Sequence, residues 1–107
     1  MKKILIVEDD IDIIELLNIY LVNNNYQVYS TDDGNKAVEM IDIYQIDLVV
    51  ADIMMPILSG YDLVKKIRQK HEMPIIILSA KVSDSDKVLG LNLGADVYLS
   101  KPFNPLE

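Results

Sequence analysis

Short apolar runs alternate along the chain with longer segments in which apolar residues recur every three or four positions. Ile4-Leu5-Ile6-Val7 is apolar on both parities, the pattern of a strand covered on both faces. From Ile11 to Asn24 the spacing predicts a helix with Ile13, Leu17 and Leu21 on one face, capped by Asp10 or Asp12 and stopped by Asn23-Asn24-Asn25. Gln27 to Ser30 reads as a weaker strand, and Asp33 to Ile43 as a helix turning Ala37 and Ile41 inward. Leu48 to Ala51 is a second fully apolar strand, ending at Asp52. After a loop from Pro56 to Gly60, Tyr61 to Lys70 predicts a helix with Leu63 and Ile67 inside and Lys65, Lys66, Arg68 and Lys70 outside. Pro74 to Leu78 is a strand that begins at a proline, where no ladder donor is lost. Ser83 to Leu93 is helical, stopped by Gly94, and Val97 to Leu99 is the last strand before Lys101-Pro102-Phe103.

This alternation predicts an α/β domain, a parallel sheet with helices on both faces. A length of 107 residues allows one domain, spanning residues 1–107, and there is no repeat, low-complexity segment or linker. A doubly wound sheet needs cover on both faces. The sequence given stops at Glu107, where Asn104 can cap one more helix and Pro105 can occupy its first turn. The expectation is therefore a domain incomplete at its C-terminus, with its fifth helix truncated or missing and its open face a source of low stability or self-association.

Composition narrows the function classes. The net charge is -7 and no run of lysines or arginines appears, which argues against direct nucleic-acid binding by this segment. With no cysteine, disulfides, thiolate metal sites and cysteine nucleophiles are excluded. The apolar run after Met1-Lys2-Lys3 is too short for a signal peptide or a membrane span, so a cytoplasmic protein without membrane association is expected.

In an open parallel sheet, ligands bind outside the carboxyl ends of the strands. Those ends carry Glu8 and Asp9, Asp52, Ser79 and Ala80, and Ser100 and Lys101. Carboxylates gathered in one crevice repel unless a cation lies among them, and Mg²⁺ suits carboxylates, phosphate oxygens and water. An aspartate can act as nucleophile and form an acyl phosphate, with an ammonium and a hydroxyl neutralising the charge in transfer. His71, in a polar stretch after a helix, is read as a surface residue and not a base or ligand. Each of the others alone has a duller reading: a solvated loop and helix cap for Glu8-Asp9-Asp10, a turn residue for Asp52, a solvated lysine for Lys101, a loop hydroxyl for Ser79 and core for Tyr98. Jointly those readings fail, because chance would have to put every polar group at one sheet edge.

Val7-Glu8-Asp9-Asp10, Asp52-Ile53-Met54-Met55-Pro56 with Gly60, Leu78-Ser79-Ala80, Gly94-Ala95-Asp96 and Tyr98-Leu99-Ser100-Lys101-Pro102-Phe103 match, in order and spacing, the receiver domain of bacterial two-component response regulators. The tail from Lys101 to Glu107 most resembles the OmpR/PhoB winged-helix transcriptional regulators. The resemblance implies a flavodoxin-like, doubly wound, five-stranded parallel sheet of order 2-1-3-4-5. It implies Asp52 as phosphoacceptor, and Asp9, Asp52 and the Met54 backbone carbonyl as direct Mg²⁺ ligands, with Glu8 acting through water. Lys101 and Ser79 would contact phosphoryl oxygens beside a small Ala80, Tyr98 would be the switch that follows Ser79, and a cis bond before Pro102 would aim the lysine. Met54 and Lys81 occupy positions that tune phosphoryl lifetime. Family members dimerise through the face of the fourth helix, fifth strand and fifth helix; Val97 here replaces an acidic residue common at that face in the subfamily.

The leading expectation is a phosphorylation-activated switch. A sensor histidine kinase donates the phosphoryl group, and a DNA-binding effector domain expected beyond residue 107 gives a transcriptional output. The chain would be no enzyme beyond self-phosphorylation from a phosphodonor and autodephosphorylation. One alternative is a stand-alone receiver acting by binding a target protein. Another is a Mg²⁺-dependent aspartyl-nucleophile phosphatase, which would usually carry a second aspartate two residues after the nucleophile, where this chain has Met54.

Overall fold

The computed structural model describes residues 1–52, 60–79 and 97–100. The elements run β1 (Lys3–Val7), α1 (Ile11–Asn23), β2 (Gln27–Thr31), α2 (Gly34–Tyr44), β3 (Leu48–Asp52), α3 (Gly60–Arg68), β4 (Ile75–Ser79) and β5 (Val97–Ser100). The five strands form one parallel sheet of order β2-β1-β3-β4-β5, the α/β architecture expected from the alternating pattern. The helix expected at Ser83 to Leu93 and most of the Pro56 to Gly60 loop lie outside the described residues. Among the described residues no helix is long and apolar enough to cross a membrane.

The apolar parity of the strands becomes two layers. Leu5, Val7, Val49, Ala51, Ile75 and Ile77 pack with Ala37 and Ile41 of α2 and with Leu63, Val64 and Ile67 of α3. Ile4, Ile6, Val50 and Leu78 pack on the other side with Leu17 of α1, flanked by Ile13 and Leu21. A central strand of a doubly wound sheet must be apolar at every position for this reason. The edge strand β2 is only half covered, and its sequence is correspondingly mixed.

Local chemistry sets the helix ends. Asp10 is the cap of α1: its extended backbone (φ -83°, ψ 110°) lets the side chain accept from the Asp12 amide. Asp33 caps α2 in the same way, accepting from Asn35 N at 2.8 Å. α2 closes on Gln45, whose φ of 56° puts a non-glycine residue in the left-handed region. α3 stops at Arg68, short of the expected Lys70. The guanidinium reaches forward along the chain, with Nη1 donating to Met73 O at 2.7 Å and to His71 O at 3.3 Å, which ties the helix end to the approach to β4. Pro74 lies just outside β4 yet still joins the ladder, its carbonyl accepting from Val49 N at 3.0 Å.

Candidate metal and phosphoacceptor site

The strand order reverses about β1. Consecutive strands lie to its left and right, and the chain leaves β1 for a helix on one face and β3 for a helix on the other. A crevice opens at such a switch point, between the carboxyl ends of β1 and β3. Here that crevice is lined by acids. Glu8 and Asp9 directly follow β1, and Asp52 is the last residue of β3. Carboxylate oxygens of Glu8, Asp9 and Asp52 all lie within 4.8 Å of one another. Glu8 and Asp52 are buried, at 0% and 4% exposure, while Asp9 opens to solvent.

Several bonds build this corner. Glu8 N donates to Thr31 O at 3.0 Å, extending the β1–β2 ladder past the end of β1. Asp10 N donates to Glu8 Oε1 at 3.1 Å. On the other side, Asp52 is paired in register with Leu78. Ser79 therefore ends β4 one residue beyond Asp52's partner, and it pairs with Ser100 at the end of β5. Tyr98 lies in β5 opposite Ile77. The backbone thus brings Glu8, Asp9, Asp52 and Ser79 to one edge, with Tyr98 two residues down the sheet, level with Ile77. Met54, Ala80, Lys81, Lys101 and Pro102 lie outside the described residues.

Burying two carboxylates beside a third is costly unless positive charge compensates them. Among the described residues the donor set is oxygen only, without imidazole or thiolate, and this selects a hard cation such as Mg²⁺ over zinc or copper. The residues fit such an ion. Three features were not evident from the sequence. Asp10 is bonded to the cluster as well as to α1. Thr31 anchors Glu8 through its carbonyl. His71, expected at the surface, is half-buried, with Nε2 2.8 Å from Asp42 Oδ1 on α2, a contact between elements that lie far apart in sequence.

Comparison with known proteins agrees with this arrangement. The family model described as "Response regulator receiver domain" matches residues 4–107. Response regulator GtcR of Aneurinibacillus migulanus is 50% identical over 106 residues, covering 99% of this chain and 44% of its own. The chain spans less than half the length of the curated relatives it matches, 46% for two others. The BeF3-activated N-terminal receiver domain of Klebsiella pneumoniae RstA superposes with a TM-score of 0.93 at 34% identity, covering 98% of this chain and 90% of that one. The receiver domain of the sensor histidine kinase PA1611 of Pseudomonas aeruginosa, solved with a magnesium ion coordinated in its active-site cleft, gives 0.87 at 30% identity over 98% and 88%. A family match over nearly the whole chain, on the flavodoxin-like sheet that carries this acidic crevice, establishes that the chain belongs to the response regulator receiver domain family of two-component signalling.

Proposed function

We propose that Asp52 accepts a phosphoryl group from a sensor histidine kinase, at a site where Glu8, Asp9 and Asp52 hold Mg²⁺. The observation that carries this reading is the convergence of the three carboxylates within 4.8 Å, with Asp52 itself buried at the end of β3. A carboxylate nucleophile needs no general base. One carboxylate oxygen attacks phosphorus, the bond from phosphorus to the donor nitrogen breaks, and its electron pair stays with the donor imidazole, which takes up a proton. When bound, Mg²⁺ supplies positive charge against the phosphoryl oxygens, held by Asp9, Asp52 and the Met54 carbonyl, with Glu8 acting through water.

The other roles belong to the same proposal. Lys101 neutralises one phosphoryl oxygen, and the cis bond before Pro102 aims it. Ser79 hydrogen-bonds another oxygen beside the small Ala80, and Tyr98 follows Ser79 inward, shifting a two-state equilibrium. Its position in β5, two pairing steps below Ser79, supports that coupling. The coverage of GtcR, 44% of its length, supports an effector domain beyond residue 107, and we assign that domain DNA binding and transcriptional control in the cytoplasm. Active-state dimerisation would use the fourth helix, β5 and the fifth helix, with Val97 at that face.

The test is incubation with acetyl phosphate and Mg²⁺ followed by intact-mass measurement. One added phosphoryl group, labile to hydroxylamine and absent from Asp52→Asn, is expected. Equal modification of Asp52→Asn refutes the assignment.

A further inference from the structure

Asp10 is joined to two things at once. Its side chain accepts from Asp12 N at 3.0 Å and its carbonyl accepts from Ile14 N at 3.1 Å, so it closes the first turn of α1. Its own amide points the other way and donates to Glu8 Oε1 at 3.1 Å, inside the acidic cluster. Three bonds on one residue therefore fix the peptide that orients a buried carboxylate. We infer that Asp10 is a positioning residue for the cation site: by capping α1 it holds its amide against Glu8, so that fraying of the helix start is felt as disorder among the ligands. This rests on the cation-site reading above and goes beyond it, because Asp10 touches no ion and acts through Glu8.

The second cap of the domain supplies an internal control. Asp33 caps α2 with the same chemistry, but its amide donates to Thr31 Oγ1 at 3.2 Å and to no carboxylate of the cluster. Loss of either cap should loosen a helix by a similar amount. Only loss of the Asp10 cap should reach the cation.

The experiment measures Mg²⁺ affinity by isothermal titration and by amide NMR shifts on the unsubstituted chain and on Asp10→Asn, Asp10→Ala and Asp33→Ala, with melting temperature and amide exchange of Ile13 and Ile14 alongside. Asn caps as well as Asp, so Asp10→Asn should keep the affinity within about twofold although it removes a charge. Asp10→Ala should raise Kd about three- to tenfold, at or below the low end for outer-shell substitutions at metal sites, with faster exchange in the first turn of α1. Asp33→Ala should lower the melting temperature and leave Kd unchanged. Equal weakening by Asp10→Asn and Asp10→Ala would mean that charge and not position matters, and overturns the inference. So does an Asp10→Ala variant that melts lower with Kd unchanged, or an Asp33→Ala variant that weakens binding as much. Absence of a saturable Mg²⁺ signal in the unsubstituted chain overturns the cation site itself, a failure visible before any substitution is made.

Discussion

Neutralising Asp52 should stabilise the metal-free domain. Glu8 and Asp52 are both buried, with oxygens no more than 4.8 Å apart. At that separation two unit charges repel by roughly 3.5 kcal/mol at an effective dielectric near 20. Further partners of Glu8 and Asp52 and solvent around the exposed Asp9 offset part of this, so Asp52→Asn should gain about 1–3 kcal/mol, and at about 4 °C per kcal/mol its melting temperature should rise by roughly 4–12 °C. The assay is urea and thermal unfolding in excess EDTA. Repeating it with Mg²⁺ separates the terms: binding at a hundredfold excess over Kd adds about 2.7 kcal/mol to the form that binds. The unsubstituted chain should gain nearly all of this and Asp52→Asn much less, so the two curves should approach each other as the cation is added. A variant that is less stable than the parent in EDTA, or that gains the same from Mg²⁺, would mean that the carboxylates are satisfied without a cation, and the repulsion argument would be wrong.

Phosphorylation from acetyl phosphate should disappear in excess EDTA; undiminished labelling would remove the cation from the reaction. Asp9→Ala should weaken Mg²⁺ binding more than Glu8→Ala if, as proposed, Asp9 is the direct ligand of the pair; the reverse order in a metal titration would exchange their roles. Ile67→Ala should cost about 2–5 kcal/mol in urea melts, since Ile67 is fully buried between α3 and the sheet; a loss under 1 kcal/mol would mean that α3 packs loosely. Gln45→Gly should raise stability by about 0.5–1 kcal/mol by relieving a left-handed residue at the end of α2; a drop in melting temperature would show that the Gln45 side-chain bond to Asp42 O matters more.

The central strands were legible because each of their residues has a buried partner. Ile4 to Val7 and Leu48 to Ala51 are apolar on both parities for the reason that both layers exist. β2 was weakly legible because it is an edge, and its extension to Thr31 depends on a bond from Glu8 that no local pattern encodes. The helical pattern runs two residues past the end of α3, because an arginine bond to Met73 O, five residues on, decides that end. The three-to-four spacing points to Leu63 and Ile67 alone, yet Val64 is as buried as they are, since α3 presses a wide face to the sheet. Asp10 and Asp12 were equal candidates for the cap, and only the backbone, extended at Asp10, separates them. The acids were visible as residues, but their convergence is a property of the sheet order.

That convergence is set by strand register. Val7 is paired with Ala51, so Glu8 and Asp52, the next residues, stand level across the β1–β3 boundary. Asp52 is in turn level with Leu78, which sets Ser79 one step above it. A slip of β1 by one residue would separate the two carboxylates by a strand step of about 3.3 Å. It would also draw either Lys3, half-exposed here, or Glu8, already buried but bonded to Asp10 N, into the apolar run now filled by Ile4, Leu5, Ile6 and Val7, all at 0–1% exposure. Burial of each large aliphatic side chain is worth about 1.5–3 kcal/mol, and a buried charge in its place costs more than the slip could recover. The polar residues at the two ends of the apolar run thus act as stops, and the outer stop, Glu8, is itself part of the candidate site. The hydrophobic pattern therefore does more than make a sheet on which chemistry is placed. By fixing the register it holds two mutually repelling carboxylates level with each other, at an energy the domain tolerates because the core on either side of β1 forbids them to move apart.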